Sequence, residues 1–192
     1  MTPTSDPSHA ARRLLRELGA EELGHPGGTL LAHLDRVRHR LVRWSARPAL
    51  QLAGLCHAFY GTGGFAPVLL LPHQRARLQD VIGAEAESIV YLYASCDRQA
   101  TYATITDHAM RFHDRFTSCT RAPSLQEKKD FAELTTANEL DIAHVDSAFR
   151  ERWGGDLSDL FTRLRPLLST AAWQDCESVL GGAPRSTAGE QV

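Results

Sequence analysis

The stretch His25–Thr62 constrains the fold more than any other, because it contains two successive helical patterns. In the first pattern apolar residues recur at helical spacing, at Leu30, Leu34, Val37 and Leu41. Thr29 is well suited to cap the start of this helix. Pro48 is a good first-turn residue for the second helix, which we expect to end at Gly61.

Each of the two helices carries a histidine among apolar residues. His33 lies beside the apolar positions of the first helix, and His57 follows the run Leu-Ala-Gly-Leu-Cys on the second. Consecutive helices joined by a short turn pack against each other, so we expect both imidazoles to reach one interior point. The alternative is a pair of core histidines with satisfied hydrogen bonds and no functional role.

The remaining pattern predicts an all-α fold, a single bundle of about seven or eight helices with a short irregular or hairpin insertion. The insertion is expected between Asp97 and Ser124, where β-branched residues such as Thr101 cluster. Ser124 followed by Glu127 has the capping-box spacing and predicts the start of a long helix. Residues 1–182 are expected to form one domain and 183–192 a flexible tail.

Charge and hydropathy exclude several classes of protein. The 21 Lys and Arg residues nearly balance the 23 Asp and Glu residues, so a surface for nucleic acid is not expected. The chain has no apolar run of the roughly 20 residues that span a bilayer, and its start lacks the apolar core of a signal peptide. We therefore expect a cytoplasmic protein without a membrane partner. Its four cysteines lie far apart in the chain, and we expect them to be small, mostly buried residues. The formation of a homodimer is compatible with the sequence.

Several motifs together resemble the HD superfamily of metal-dependent helical enzymes. They are a helix with a histidine, a second helix ending in Gly-Leu-Cys-His, and a later Ala-Asn-Glu-Leu-Asp. More specifically, the segments HPGGTLLAH, AGLCHAFYGTGGF, IGAEAESIVYLY, CDR and DRFT resemble a divergent bacterial branch of HD-like domains. On this resemblance His33 matches the first histidine of the family and His57 the second. Asn138 stands where the distal aspartate would be, and Ala58 replaces the aspartate that follows the second histidine.

The resemblance implies a divalent transition metal, and the two replacements change its ligands. Without two carboxylates the ion would be held mostly by neutral nitrogen, which favours iron, manganese or zinc over magnesium. His25 is the natural third ligand beside His33 and His57, because the Pro-Gly-Gly turn can fold it back over the next helix. Alternatively, His25 only anchors the turn.

Other residues are candidates for acting on a substrate. We predict catalytic roles for His57, Tyr60, Asn138 and Asp141, with Tyr60 at the mouth of the cavity. Arg98 and Arg115 are expected to hold an anionic group, although a surface ion pair is the more ordinary role for either arginine. Tyr60 could equally be an aromatic residue that closes the core.

Three functions are compatible with these residues. The first is a metal-dependent enzyme of hydrolase or oxygenase type, acting on a small anionic organic substrate in specialised metabolism. The second is a metal-free acid–base enzyme of lyase or cyclase type that uses the same pocket. The third is a module that binds a small ligand without catalysis. No nucleotide-cofactor motif is present, and the segment 63–72 is either a lid or an extended crossing segment.

Overall fold

The computed structural model describes residues 6–63, 65–102, 104 and 110–181. Within these residues the helices are α1 (Pro7–Glu17), α2 (Leu30–Arg43), α3 (Pro48–Cys56), α4 (Arg75–Ile82), α5 (Ala84–Ser95), α6 (Arg98–Tyr102), α7 (Leu125–Val145), α8 (Ser147–Leu164) and α9 (Thr170–Leu180). Two antiparallel hairpins accompany them, β1 (Gly24–His25) with β2 (Gly28–Thr29) and β3 (Phe112–Asp114) with β4 (Cys119–Arg121). Short 3-10 turns cover Pro72–Gln74 and Arg165–Leu167.

The predicted all-helical class with a small hairpin insertion is confirmed. The described residues contain nine α-helices instead of seven or eight, because the start of the insertion forms the short helix α6. Thr101 was expected in the irregular or hairpin insertion and instead belongs to α6. The predicted tail, residues 183–192, lies outside the described residues.

Local sequence signals set most helix boundaries. The Thr29 hydroxyl accepts a hydrogen bond from the amide of Ala32 at 3.2 Å, as its N-cap prediction requires. At the start of α7 the Ser124 hydroxyl accepts from the Glu127 amide, and the Glu127 carboxylate accepts from the Ser124 amide, which completes the predicted capping box.

Helix α3 ends at Cys56, five residues before the predicted stop at Gly61. The Gly54 carbonyl, which in a continuing helix would accept from a backbone amide, accepts from Nδ1–H of the His57 ring at 2.8 Å. The chain then turns through tight bonds, including one from the Gly61 amide to the Ala58 carbonyl. This early ending places His57 at the C-terminus of the helix, where its ring faces inward.

The central helix α7 organises the core. It contacts α2, α3 and α5 on one side and α8 and α9 on the other. Helices α2 and α3 approach closely at Gly54, where an added Cβ atom would overlap the Leu41 side chain. The buried apolar residues of all these helices form one continuous cluster.

Two remaining sequence predictions concern the surroundings of this core. Cys56, Cys96 and Cys176 are buried and Cys119 is exposed, and all are free thiols. In the segment after Gly61, the amides of Leu69 and Leu70 both donate to the Phe59 carbonyl. These bonds tie the second half of the segment to the residues that follow α3.

Among the helices that the structure describes, none combines the length and the hydropathy that crossing a bilayer requires.

Candidate functional site

A cavity of about 370 Å³ opens where the β1–β2 hairpin, α2, α3, α6, α7 and α8 meet. Its main polar groups are His25, His33, His57, Arg98, Asn138 and Glu139. Apolar side chains, among them Phe65 and Phe149, form much of the remaining wall. An apolar pocket with a few converging polar groups is the usual form of a small-molecule site.

His33 is fixed in this cavity by a buried carboxylate. Its Nδ1–H donates to Oδ2 of Asp141 at 2.7 Å, and the two side chains are only 1% and 2% exposed. Arg36 donates to the same carboxylate from Nε at 2.9 Å. Burial alone would raise the pKa of Asp141, but the hydrogen bonds from His33 and Arg36 outweigh it and hold the pKa below its usual value. Asp141 is therefore an anion that orients His33.

Arg36 also connects this pair to the first hairpin. Its terminal nitrogens donate to the carbonyls of Pro26 and Gly27 at 3.2 and 3.3 Å. These carbonyls belong to the turn that carries His25 across the cavity. One guanidinium thus holds both the hairpin and the Asp141 carboxylate.

The other nitrogen of His33 contacts Asn138, whose amide in turn contacts Glu139. Oδ1 of Asn138 lies 3.0 Å from Nε2 of His33, and Nδ2 of Asn138 donates to Oε1 of Glu139 at 3.1 Å. Because an amide oxygen only accepts, this pattern requires a proton on Nε2 of His33, opposite an ionised Glu139. A half-turn of the amide reverses both bonds and suits a neutral His33 beside a protonated Glu139. Both patterns leave every group paired and have the same net charge.

Glu139 and Arg98 face the cavity near each other without forming an ion pair. Burial raises the pKa of Glu139, and the attraction of Arg98 only partly opposes this rise. Nε of Arg98 donates to the Tyr102 hydroxyl at 3.2 Å, and the guanidinium lies 5.0 Å from the centre of the Tyr93 ring. Within the described part of the chain, no carboxylate lies within ion-pair distance of Arg98.

The other two histidines are neutral. Burial, reinforced by the neighbouring His33, lowers the pKa of His57 to about 3 and that of His25 to about 4. Nδ1 of His57 is occupied by the Gly54 carbonyl, so the lone pair of this ring is on Nε2. Nδ1 of His25 is buried and has no hydrogen-bond partner among the described residues.

The arrangement of the three histidines does not fit a shared metal ion. The rings of His25 and His33 are stacked, with centroids 3.9 Å apart and an interplanar angle of 22°, so their in-plane lone pairs run side by side. Both nitrogens of His33 are already engaged. No set of three or more His, Cys, Asp or Glu residues in the described ranges is placed to hold an ion. The metal centre stays a prediction from the resemblance, and we derive no chemistry through it.

Tyr60 does not lie at the mouth of the cavity, so that expectation was wrong. The side chain is 1% exposed, and its hydroxyl donates to Glu87 at 2.8 Å. Arg75 and Gln79 donate to the same buried carboxylate. Burial and then Glu87 raise the pKa of Tyr60 well above its usual value. Its contacts are those of a structural residue, since it satisfies a buried charge.

Arg115 and Asp141 also lie outside the cavity lining. Nε of Arg115 donates to the Ala94 carbonyl at 2.7 Å, and its guanidinium lies over the Phe116 ring. It therefore joins the β3–β4 region to α5 and does not face the cavity. Asp141 does not line the cavity and acts on it through the His33 ring and through Arg36, which also bonds to the hairpin.

Glu139 is the cavity residue that sequence reasoning missed. A signal was present, because a glutamate on a helix surface usually has a basic residue three or four positions away. Thr135, Thr136, Ile142 and Ala143 occupy those positions here. A glutamate with no basic neighbour, next to Asn138, was a candidate for an inward position.

Comparisons with known proteins found a match of unknown function over part of the chain. A family model described as a domain of unknown function, DUF6817, matches residues 14–98. This match includes His25, His33, His57 and Arg98 but stops before α7, which carries Asn138 and Glu139. No curated protein and no solved structure matches the chain significantly.

Proposed function

We propose that this protein is a metal-free acid–base enzyme that binds a small organic anion in the cavity and transfers a proton to or from it. The observation that carries the proposal is the hydrogen-bond chain from Asp141 through His33 and Asn138 to Glu139, which ends at the cavity beside Arg98. Such a chain holds a carboxyl group in place and accommodates both of its protonation states.

Arg98 supplies the binding step. An arginine that faces a cavity without a carboxylate partner can form a bidentate pair with a bound carboxylate. The contacts with Tyr93 and Tyr102 fix the guanidinium in advance, which reduces the entropy lost on binding. The substrate class is therefore a small carboxylate.

Glu139 supplies the proton-transfer step. A carboxyl group with a raised pKa is matched to acid–base work near neutral pH. In its ionised form it takes a proton from a C–H bond next to the substrate carboxylate, so that this bond breaks and an O–H bond forms on Glu139. Arg98 stabilises the negative charge that develops on the substrate oxygens. Return of the proton to the same or a neighbouring carbon completes an exchange or an isomerisation. In an elimination, the electron pair of the broken C–H bond forms the double bond, the leaving group departs from the neighbouring carbon with its own bonding pair, and the proton on Glu139 protonates it.

The two neutral histidines orient the substrate. The Nε2 lone pair of His57 faces the Asn138 amide and can accept a hydrogen bond from it or from a substrate hydroxyl, and His25 offers a second polar ring in the same lining. Because both stay neutral at physiological pH, they add no charge to the site.

Deuterium uptake tests the proposal without knowledge of the substrate. The purified protein is incubated in D₂O with a panel of small hydroxy-, oxo- and unsaturated carboxylates, and mass spectrometry detects deuterium at carbon or a new product. We expect at least one compound to change. Glu139→Gln should lower the rate by about 10²-fold or more, the usual contribution of a general acid or base.

The matched control is Glu151→Gln, the same substitution at an exposed position of α8, which should leave the rate unchanged. If Arg98-dependent binding is found but no compound exchanges or reacts, the protein is a binding module and the catalytic proposal is wrong. Metal analysis of the same preparation tests the metal-dependent reaction predicted from the resemblance. Activity lost on chelation and restored by one ion would favour that reaction over ours.

A further inference from the structure

A second cavity of about 360 Å³ lies beside the first on the α6, α7 and α8 side. Its apolar wall consists of Tyr102, Phe149, Trp153, Leu157 and Leu160. Trp153 is 41% exposed, which is unusual for a residue of this size. Exposed aromatic surface that lines a cavity marks a place where a ligand can contact it.

The two cavities are neighbours that share two lining residues. Glu139 and Phe149 line both of them. Glu139 is also the proposed proton-transferring group. A molecule bound with its reacting carbon at Glu139 therefore lies where a path along α8, past Phe149, would lead into the second cavity.

The sequence of α8 makes this path apolar along its length. Phe149, Trp153, Leu157 and Leu160 follow one another at helical spacing on one side of the helix. At about 1.5 Å per residue, the eleven steps from Phe149 to Leu160 cover roughly 16 Å. Beyond Glu139, Asp156 and Arg163 line the same cavity with opposite charges, so this part of the lining has no net attraction for a charged arm.

We propose that the substrate is an amphiphilic carboxylate, with its carboxylate at Arg98 and an uncharged apolar arm extending along α8 over Trp153. The inference rests on the proposed function for the position of the head group. It adds that the second cavity selects substrates by the length of the apolar arm.

A homologous series of straight-chain carboxylates tests the proposal. Acetate, butyrate, hexanoate and octanoate are titrated into the intact protein by calorimetry, and the difference in Trp fluorescence between the wild-type protein and Trp153→Phe follows the environment of Trp153. We expect the affinity to rise about three- to fourfold for each methylene that leaves water, with all members dependent on Arg98. Trp153→Ala should remove most of this gain for the long members and leave acetate unchanged.

Two further variants sharpen the test. Trp153→Phe keeps an apolar ring and should retain much of the dependence on length. Leu125→Ala removes another exposed apolar side chain, at the far start of α7, and should change nothing.

The outcomes separate this inference from the proposed function. Arg98-dependent binding with equal affinity for all members would leave the proposed function standing and overturn the apolar arm. A dependence on length that Trp153→Ala does not alter would likewise overturn it. If no member of the series binds to the wild-type protein or to Arg98→Gln, both the proposed function and the apolar arm are overturned.

Discussion

Replacing Asp141 by asparagine tests whether the buried ion pair positions the site. The carboxylate is 2% exposed and accepts hydrogen bonds from His33 at 2.7 Å and from Arg36 at 2.9 Å. Asparagine preserves the shape and one acceptor oxygen but removes the charge and turns an amide donor towards two existing donors. The variant therefore leaves at least one donor unpaired in the interior.

The expected cost is about 2–3 kcal/mol of unfolding free energy. Removing one partner of a fully buried pair costs about 3–5 kcal/mol, and a buried unsatisfied group costs about 1–3 kcal/mol. We take a value at or just below the lower limit of the first range because Arg36 is 31% exposed and water can still solvate it. The pKa of Asp141 is lowered, so this stabilisation is fully present above its ordinary pKa of 3.8 and is lost as the pH falls through the lowered value.

Urea unfolding followed by far-ultraviolet circular dichroism measures the effect at neutral pH. Asp159→Asn makes the same substitution at an exposed position of α8 and should shift the unfolding free energy by less than about 0.5 kcal/mol. Arg36→Gln combined with Asp141→Asn should cost less than the sum of the two single changes. If Asp141→Asn is as stable as Asp159→Asn, the ion pair does not hold His33 as we describe.

Three further predictions concern stability. Gly27→Ala should destabilise the folded protein by about 1–3 kcal/mol and lower its melting temperature, because the residue has φ +77° and its new Cβ would lie 2.7 Å from Cγ2 of Val145. An unchanged melting temperature would contradict the hairpin geometry. His57 has a lowered pKa in the folded protein, so the unfolded chain takes up this proton at a higher pH, and the free energy of unfolding should fall as the pH drops from 6.5 towards 4. His57→Gln should flatten this slope, measured as the change of the urea midpoint with pH. An equally steep slope in the variant would show that another group causes it. Ser124→Ala removes half of a capping box and should cost about 1 kcal/mol in the same assay, whereas no loss would mean that the Glu127 half suffices.

The helices were predictable because their signals are local. The N-caps at Thr29 and Ser124 are set by residues within one turn, and the structure contains both bonds. The end of α3 was not predictable in the same way, since it depends on the His57 ring taking the Gly54 carbonyl. Such a competition between a side chain and the backbone has no periodic signal.

The candidate site was only partly predictable. The placement of His33 and His57 on consecutive helices, together with the resemblance, brought them to the cavity in which Asn138 and Arg98 also lie. The position of Tyr60 was wrong because it depends on Glu87, a buried carboxylate of another helix. Contacts between residues far apart in the chain are set by packing, so hydropathy patterns do not contain them.

The position of Arg36 has a consequence for any attempt to redesign this cavity. Its guanidinium bonds to the Pro26 and Gly27 carbonyls on one side and to the Asp141 carboxylate on the other. Arg36 therefore bonds both to the hairpin and to the carboxylate that orients His33, and a substitution that moves Arg36 displaces both walls of the cavity. A library that varies the hairpin alone keeps the constraint that Arg36 places on the Pro26 and Gly27 carbonyls, whereas one that varies the hairpin and position 36 together can reach new cavity shapes.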